Sequence, residues 1–286
     1  QLAPDYGQAH TALGFALWHR DGPDKAMVEL KRGRTLGHLN GNNMLGTLYS
    51  NREQYDSAYF YFRESIDARP TAFTLMRIGQ LYQDLNLYDS STTYLEQAFL
   101  LDPSLTDLKV ELIESSLQVN DYESARQYID LYLPEDSDEE IVVNTRHMFL
   151  SMIESFNQNW GQALEESQRS PWRGILSAYI LSKNGRENEA EELYRDLELE
   201  NRAELEMDGY PRIYLSIAAC RLGLHDRQGA LGLVREAAEG GFSNYDKLAG
   251  SLYLSELADD PHFKESLAIV KENRERNRQL VYTLAK

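Results

Sequence analysis

A four-residue phrase recurs along this chain, and its recurrence limits the fold more than any other feature of the sequence. Tyr-Asp-Ser-Ala at residues 55–58 returns as Tyr-Asp-Ser-Ser at 88–91, as Tyr-Glu-Ser-Ala at 122–125 and as Trp-Gly-Gln-Ala at 160–163. Self-similarity at a period of about 20–50 residues is typical of an array of stacked units, each too small to bury its own apolar face. We therefore expect a repeat array stabilised by contacts between neighbouring units.

The small residue that ends each phrase sets a register that runs through most of the sequence. Successive register residues are 32, 33, 34, 38, 27 and 40 positions apart, with a mean of 34. A large apolar residue stands four positions after most of them, and an apolar residue followed by glycine stands upstream of the first three. The register residues are Ala26, Ala58, Ser91, Ala125, Ala163, Ala190 and Ala230.

This pattern fits two antiparallel helices in each unit. Gly14, Gly46 and Gly79 would let the second helix approach the first closely, and the register residues would do the same from the other side. Apolar residues spaced three and four apart then form the buried stripe of each helix. The aromatic residue at the start of each phrase would begin the second helix and wedge into the turn before it.

Together these residues resemble the tetratricopeptide repeat, whose period is about 34 and whose signature runs L-G-x2-Y, A-x3-F and then P. Pro70 and Pro103 stand where that signature ends, and Pro4 stands at the end of a preceding unit. The resemblance covers roughly residues 7–240. It implies an all-α fold: a right-handed superhelical solenoid of antiparallel helix pairs, with about seven repeats and a C-terminal capping helix.

The sequence changes character after the last repeat, so we assign residues 1–240 to the array and 241–286 to a C-terminal helical cap continuous with it. Residues 257–263 are similar to the L-x-x-D-P-x-F ending of repeat arrays in bacterial multidomain regulators. In such proteins the N-terminal partner is a kinase, a nucleotide cyclase or a winged-helix domain. The resemblance implies that this chain is the sensory or interaction part of a larger bacterial protein. Asp260 should cap a helix with Pro261 in its first turn.

Three further segments have predicted conformations. The acidic run at 133–140 is expected to be a loop that precedes a helix from about Ile141, because acidic residues favour a helix N-terminus. The segment from Glu198 to Gly209 is predicted to be irregular. The basic cluster at 271–278 alternates with glutamates, which indicates an exposed helix face with internal ion pairs.

The composition argues against several functions. A net charge of −17 disfavours nucleic acid, whose non-specific binding depends on Lys and Arg, and suggests a basic or apolar protein partner. The single cysteine, Cys220, is expected to be a buried apolar residue, and the six histidines lack metal-ligand spacing. We expect no enzymatic activity, no cofactor, no metal and no membrane insertion in this segment. The compartment stays open between cytoplasm and periplasm.

The resemblance implies that the first helix of each repeat lines a concave binding face. Its predicted inward positions are polar in the early repeats and apolar in repeats five and six. These apolar positions of repeats five and six are either part of the core or an anchoring surface for an apolar peptide segment. Two other functions stay open: self-assembly into a homo-oligomer, or substrate recruitment for a catalytic domain upstream. The candidate peptide-binding residues are Asn43, Thr47, Gln80, Met148, Met152, Phe156, Trp172, Ile175 and Tyr179.

Overall fold

The computed structural model describes residues 6–285, and every regular element within them is helical. Helices that follow one another pack in antiparallel pairs, from α1 with α2 to α13 with α14. In chain order they are α1 (Gly7–Asp21), α2 (Pro23–Thr35), α3 (Asn42–Asn51), α4 (Tyr55–Ala68), α5 (Ala72–Asp84), α6 (Tyr88–Leu101), α7 (Thr106–Gln118), α8 (Tyr122–Tyr132), α9 (Glu140–Phe156), α10 (Trp160–Gln168), α11 (Ile175–Lys183), α12 (Glu187–Asp208), α13 (Pro211–Gly223), α14 (Arg227–Glu239), α15 (Tyr245–Ala249) and α16 (Pro261–Ala285).

The seven helix pairs follow the register that the sequence predicts. Each register residue lies in the second helix of its pair, and all seven side chains are at most 2% exposed. The aromatic residue of each phrase is the first residue of α4, α6, α8 and α10. The predicted solenoid of antiparallel pairs is therefore confirmed. Pro4 lies outside the described residues.

Close approach of the paired helices accounts for the glycines of the first three repeats. A Cβ atom at Gly14 would lie 2.6 Å from Cγ of Leu30, and one at Gly79 would lie 2.8 Å from Cδ2 of Leu95. Both partners stand four positions after a register residue. These glycines are thus required by packing across the helix pair, as predicted.

The turns inside the pairs share a backbone conformation that the sequence analysis did not anticipate. In the described part of repeats two to seven, the residue two positions before the second helix has a left-handed conformation, with φ between 53° and 73°. Only one of the six is glycine, so the position is strained in most repeats. The six residues are Glu53, Asn86, Asn120, Gln158, Gly185 and His225.

We predict that Gln158→Gly raises the free energy of unfolding by about 0.5–1 kcal/mol, because glycine adopts this conformation without a steric penalty. Gln158 is exposed, so the change removes little packing. Gly185→Gln is the matched reverse change and should lower stability by a similar amount. Urea unfolding followed by circular dichroism measures both, and shifts of the same sign would contradict the prediction.

The segment from Glu198 to Gly209 is helical, so the prediction of an irregular segment was wrong. It forms the second half of α12, which ends where Gly209 adopts a left-handed conformation, with φ of 66°. The carboxylate of Glu198 pairs with Arg202 at 2.8 Å and with Arg221 at 2.7 Å. These ion pairs fasten the helix to α13. The acidic run before α9 is a loop, as predicted.

The C-terminal helix α16 joins repeat seven to repeat two. Its first half packs on α14, with Phe263 and Val270 buried, as the predicted cap requires. Its second half crosses to α4, where Val281 is buried in the cluster that contains Tyr55 and Tyr82. The array therefore closes on itself, and α16 does more than cover one end.

This closure contradicts the prediction that the basic cluster at 271–278 is an exposed helix face. The side chains of Arg274 and Arg278 are only 13% and 20% exposed. Both point at backbone and amide groups of the early repeats. The predicted ion pair within the helix is present, between Arg278 and Glu275 at 3.2 Å. Charge alternation alone did not distinguish a solvent-facing helix from one that docks through its arginines.

Candidate functional site

An open groove with a volume of about 250 Å³ lies between repeats five and six. Its walls come from α9, from the loop and first turn of α11, and from one residue of the C-terminal segment, Tyr253. The lining is mainly apolar, with four serine hydroxyl groups at the margins. The lining residues are Met148, Ser151, Met152, Ser167, Ser170, Trp172, Gly174, Ile175, Leu176, Ser177 and Tyr253.

Four of the predicted site residues meet in this groove. Met148 and Met152 are one turn apart on α9 and half-buried, and Ile175 is the first residue of α11. Trp172 lies in the loop before α11, so its predicted placement on the first helix of repeat six was wrong. Its backbone N–H donates to the Ser170 hydroxyl at 3.3 Å, while its side chain is 55% exposed.

Tyr179 and Phe156 do not line the groove. Tyr179 is 9% exposed, and its ring packs edge-on against Trp160 and Tyr253, each at 5.7 Å between centroids. Phe156 stacks on Tyr122 at 5.6 Å. For Tyr179 the core interpretation of the predicted stripe therefore applies.

Tyr253 was not among the predicted site residues. Burial and the neighbouring Tyr179 raise the pKa of its phenol to about 12, so it is neutral at physiological pH. It lies in the cap, where the repeat register no longer applies. No spacing in the sequence indicates that this residue reaches the groove.

The polar candidates of repeats two and three form hydrogen bonds within the array. The Asn43 side-chain oxygen accepts from the Thr74 hydroxyl at 3.0 Å, and the Thr47 hydroxyl donates to the Asn43 carbonyl at 3.0 Å. Gln80 accepts from Arg77 at 2.8 Å and donates to Glu111. Asn43 and Gln80 thus link neighbouring repeats.

Repeat four places two carboxyl groups between the polar and the apolar candidates. Glu114 is eleven positions before register residue Ala125, as Met152 is before Ala163. Burial and the nearby Glu114 raise the pKa of Glu111 to about 7, against the opposing effect of Arg77. The side chain of Glu114 is exposed, yet partial desolvation by the surrounding protein raises its pKa as well. The register places Glu114 at an inward position of repeat four, although the set of predicted site residues contained none from that repeat.

A second polar site forms where the C-terminal segment meets turn 2 (residues 52–54) and turn 3 (residues 85–87). We call this the closure contact. In turn 2, the Glu53 carboxylate accepts from the backbone N–H and the hydroxyl of Ser243, at 3.1 and 2.9 Å. The Tyr55 hydroxyl also donates to it, at 3.0 Å. One carboxylate oxygen therefore binds three donors from two distant parts of the chain.

Turn 3 receives arginine and asparagine side chains. Nε of Arg278 donates to the Leu85 carbonyl at 2.6 Å, and its terminal nitrogen donates to the Asn86 carbonyl at 2.8 Å. The Asn86 amide donates to Asn244 at 3.0 Å. Carbonyl groups that a free turn would expose to water are thus satisfied by the C-terminal segment.

The closure contact also brings two acidic groups together. Burial, with a contribution from the charge of Asp84, raises the pKa of Glu53 to about 8 despite the hydrogen bonds that it accepts. Burial likewise raises the pKa of Asp84, and the ammonium group of Lys247 opposes the shift. A carboxyl group in this position binds its proton more tightly than it would in the unfolded chain.

Sequence and structure comparisons identify the repeat. The family model described as the tetratricopeptide repeat matches residues 39–71 and 74–105. Residues 39–71 and 74–105 are tetratricopeptide repeats, and the described chain has the fold of a tetratricopeptide array. The matched residues correspond to α3–α4 and α5–α6, the two repeats whose turns form the closure contact.

Solved structures share the fold of this tetratricopeptide array. Yeast Tom70 superposes with a TM-score of 0.52 at 16% identity, over 95% of this chain and 54% of that one. This chain thus spans about half the length of Tom70. A tetratricopeptide repeat protein from Parabacteroides merdae superposes with a TM-score of 0.52 at 13% identity, over 92% of this chain and 98% of that one. No curated protein matches the sequence.

The described residues lack two further kinds of feature. Residues 6–285 contain no group of three or more His, Cys, Asp or Glu side chains arranged to hold a metal ion. None of the helices in that range is both long enough and apolar enough to cross a membrane. Cys220 is fully buried, as predicted, and burial raises the pKa of its thiol to about 12.

Proposed function

We propose that this tetratricopeptide array is a protein-interaction scaffold that binds a peptide segment in the groove between repeats five and six. The observation that carries the proposal is the exposed indole of Trp172 beside an open groove floored by Met148 and Met152. An accessible tryptophan at the edge of an apolar pocket is typical of a binding hot spot. Methionine side chains adapt to apolar groups of different shape.

The charges of the array indicate the rest of the ligand. Glu111 and Glu114 occupy the repeat next to the groove, and the chain carries a net charge of −17. A ligand cation near the exposed carboxyl group of Glu114 would add to the favourable charge of Lys247 there, which gives electrostatic complementarity. The ligand class that we propose is therefore a peptide with one large apolar residue and a lysine or arginine nearby.

The setting of the scaffold also belongs to the proposal. The L-x-x-D-P-x-F segment at 257–263 supports a place in a larger bacterial regulator, as its interaction part. The proposed division is an array at 1–240 with a cap at 241–286. Because Tyr253 of the cap lines the groove, we propose that array and cap act as one binding unit.

Trp172→Ala tests the function. Because the indole is 55% exposed, the change should leave folding intact and weaken peptide binding by about tenfold or more. The probe is a set of fluorescent peptides, each with one Trp, Phe or Leu and one Lys or Arg, measured by fluorescence polarisation. Leu100→Ala on α6 is the matched control, since Leu100 is 84% exposed outside the groove. No binding by the parent protein, or equal binding by both variants, would contradict the proposal.

The same samples distinguish peptide binding from self-assembly. If the groove receives a second copy of this chain, analytical ultracentrifugation will show a concentration-dependent mass for the parent and not for Trp172→Ala. That result would replace the peptide proposal with the assembly alternative. A constant mass together with peptide binding supports the scaffold.

A further inference from the structure

The six left-handed turn residues provide an internal comparison of docked and free turns. Asn120, Gln158, Gly185 and His225 are all exposed. Glu53 is half-buried and Asn86 is buried. Turns 2 and 3 differ from the other four because the two ends of segment 242–281, residues 243–244 and 274–281, lie against them, while its middle packs on α13 and α14 through Leu254 and Phe263. We call residues 242–281 the strap.

The contact between the strap and the two turns is mainly polar. Beyond the bonds of Glu53 and Arg278, the Tyr88 hydroxyl donates to Asp246 at 2.9 Å, and Arg274 donates to the Asn86 side chain at 3.3 Å. Buried apolar packing on this side is concentrated at Val281. Contacts of this composition resemble transient interfaces more than a continuous core, and relative motion is their ordinary behaviour.

The part of the strap that docks on the turns leads directly to the groove. Ser243 and Asn244 contact turns 2 and 3, the five-residue helix α15 (Tyr245–Ala249) follows with Asp246 bonded to Tyr88 of α6, and Tyr253 then lines the groove. Leu248 and Leu254 on this link are buried in the cluster with α13 and α14, and Tyr253 packs against that cluster, so movement of the docked residues reaches the groove wall through this packing. Outside the strap, Arg212 on α13 donates a hydrogen bond to Asn51 on α3 at 2.7 Å. This second contact can hold repeats seven and two near each other when the strap is free.

We propose that residues 242–281 are a releasable strap whose docking on turns 2 and 3 closes the array and completes the peptide groove with Tyr253. Its effect on binding rests on the function proposed above. Docking pre-organises the groove, so a closed array binds peptide more tightly than an open one. By thermodynamic linkage, a bound peptide favours the docked strap by the same factor by which docking raises the affinity for peptide. The strap is thus a regulatory element of the binding site.

Arg278→Ala tests the strap, with Arg276→Ala as the matched control, because Arg276 is exposed on the same helix. Hydrogen exchange with mass spectrometry reports the strap at 245–257 and the groove helix α11 (Ile175–Lys183) in the free protein. We expect about tenfold faster exchange in both segments for Arg278→Ala, unchanged exchange in repeat four, and parent-like behaviour for Arg276→Ala. Unchanged exchange at 245–257, or faster exchange throughout the array, would overturn the proposal.

A second pair of variants avoids a change on α16. Asn86→Gly and Asn120→Gly both remove a strained left-handed residue, but only the first removes contacts with Asn244 and Arg274. If the strap is releasable, hydrogen exchange at 245–257 should be faster than in the parent for Asn86→Gly and unchanged for Asn120→Gly. Equal exchange in the two variants would overturn the proposal.

Peptide affinity separates the two proposals. Release of the strap should weaken peptide binding by about fivefold or more in Arg278→Ala, a typical size for coupling between two sites. If exchange changes as expected but the parent binds no peptide, the strap stands and the proposed function fails. If all variants bind peptide equally, the scaffold stands and the coupling of strap to groove is overturned.

Discussion

Gly46→Ala should lower the free energy of unfolding by about 3 kcal/mol, which is the upper range for an overpacked core. A Cβ atom at this position would overlap the ring of Phe62. That ring is 1% exposed and belongs to the cluster that contains Tyr55 and Ile78, so it has little room to move. The collision outweighs the gain of about 1 kcal/mol that alanine gives a helix interior over glycine.

Gly232→Ala is the matched control and should have the opposite sign. Gly232 lies within α14, and no described atom outside its immediate neighbourhood lies within 4 Å of a Cβ placed there. Only the helix propensity then changes, so stability should rise by about 1 kcal/mol. Urea unfolding of both variants measures the difference. Shifts of the same sign would show that close approach of the helix pairs does not determine where this array needs glycine.

The closure contact should weaken as the pH rises. Glu53 has a pKa of about 8 in the folded protein, against 4.5 for an ordinary glutamate. Its folded pKa is the higher one, so its contribution to stability is fully present below pH 4.5 and is lost as the pH rises through 8. The groups that set this shift are Asp84 of α5, Tyr55 of α4 and Ser243 of the strap, with Lys247 and Arg212 acting on Asp84.

Glu53→Gln keeps a hydrogen-bond acceptor for Ser243 and removes the titration. We expect its thermal midpoint to match the parent at pH 5 and to exceed it increasingly up to pH 9. Glu135→Gln, in the exposed loop before α9, is the control for the loss of one negative charge and should follow the parent at every pH. Parallel curves for parent and Glu53→Gln would mean that this carboxyl group is charged in the folded array.

The sequence predicts the parts of the fold that depend on local contacts. Gly79 and the side chain that it contacts, Leu95, lie within one helix pair, and other repeats also place a small residue against a large one. Four occurrences of the phrase in register therefore predict the pairs, the start of each second helix and the buried register residues. The left-handed turn residues escaped prediction because most of them are not glycine.

The closure contact was not predictable in the same way. Its partners, such as Glu53 and Ser243, are 190 positions apart, and nothing in a repeating pattern indicates which turn meets the strap. Arg274 and Arg278 look like residues of a solvated helix until their acceptors are known. Glu198 was similar: its acidic surroundings indicated a loop, while its contacts with Arg202 and Arg221 stabilise a helix.

The candidate groove illustrates both situations. Met148 and Met152 followed from carrying the register into repeat five, where both lie on α9. Trp172 and Tyr179 were assigned to one helix face, yet one precedes α11 and the other is core, because repeat six is shorter than the mean period. Tyr253 reaches the groove only through closure of the array.

The array is closed by its own C-terminal segment, and double electron–electron resonance measures this closure as a distance. Spin labels at Asp89→Cys and Glu275→Cys, both exposed, report turn 3 and α16 after the buried Cys220 is replaced by alanine. We expect one short, narrow distance distribution that persists when labelled protein is diluted with unlabelled protein. A long or broad distribution, or one that disappears on dilution, would show that the strap does not close its own chain.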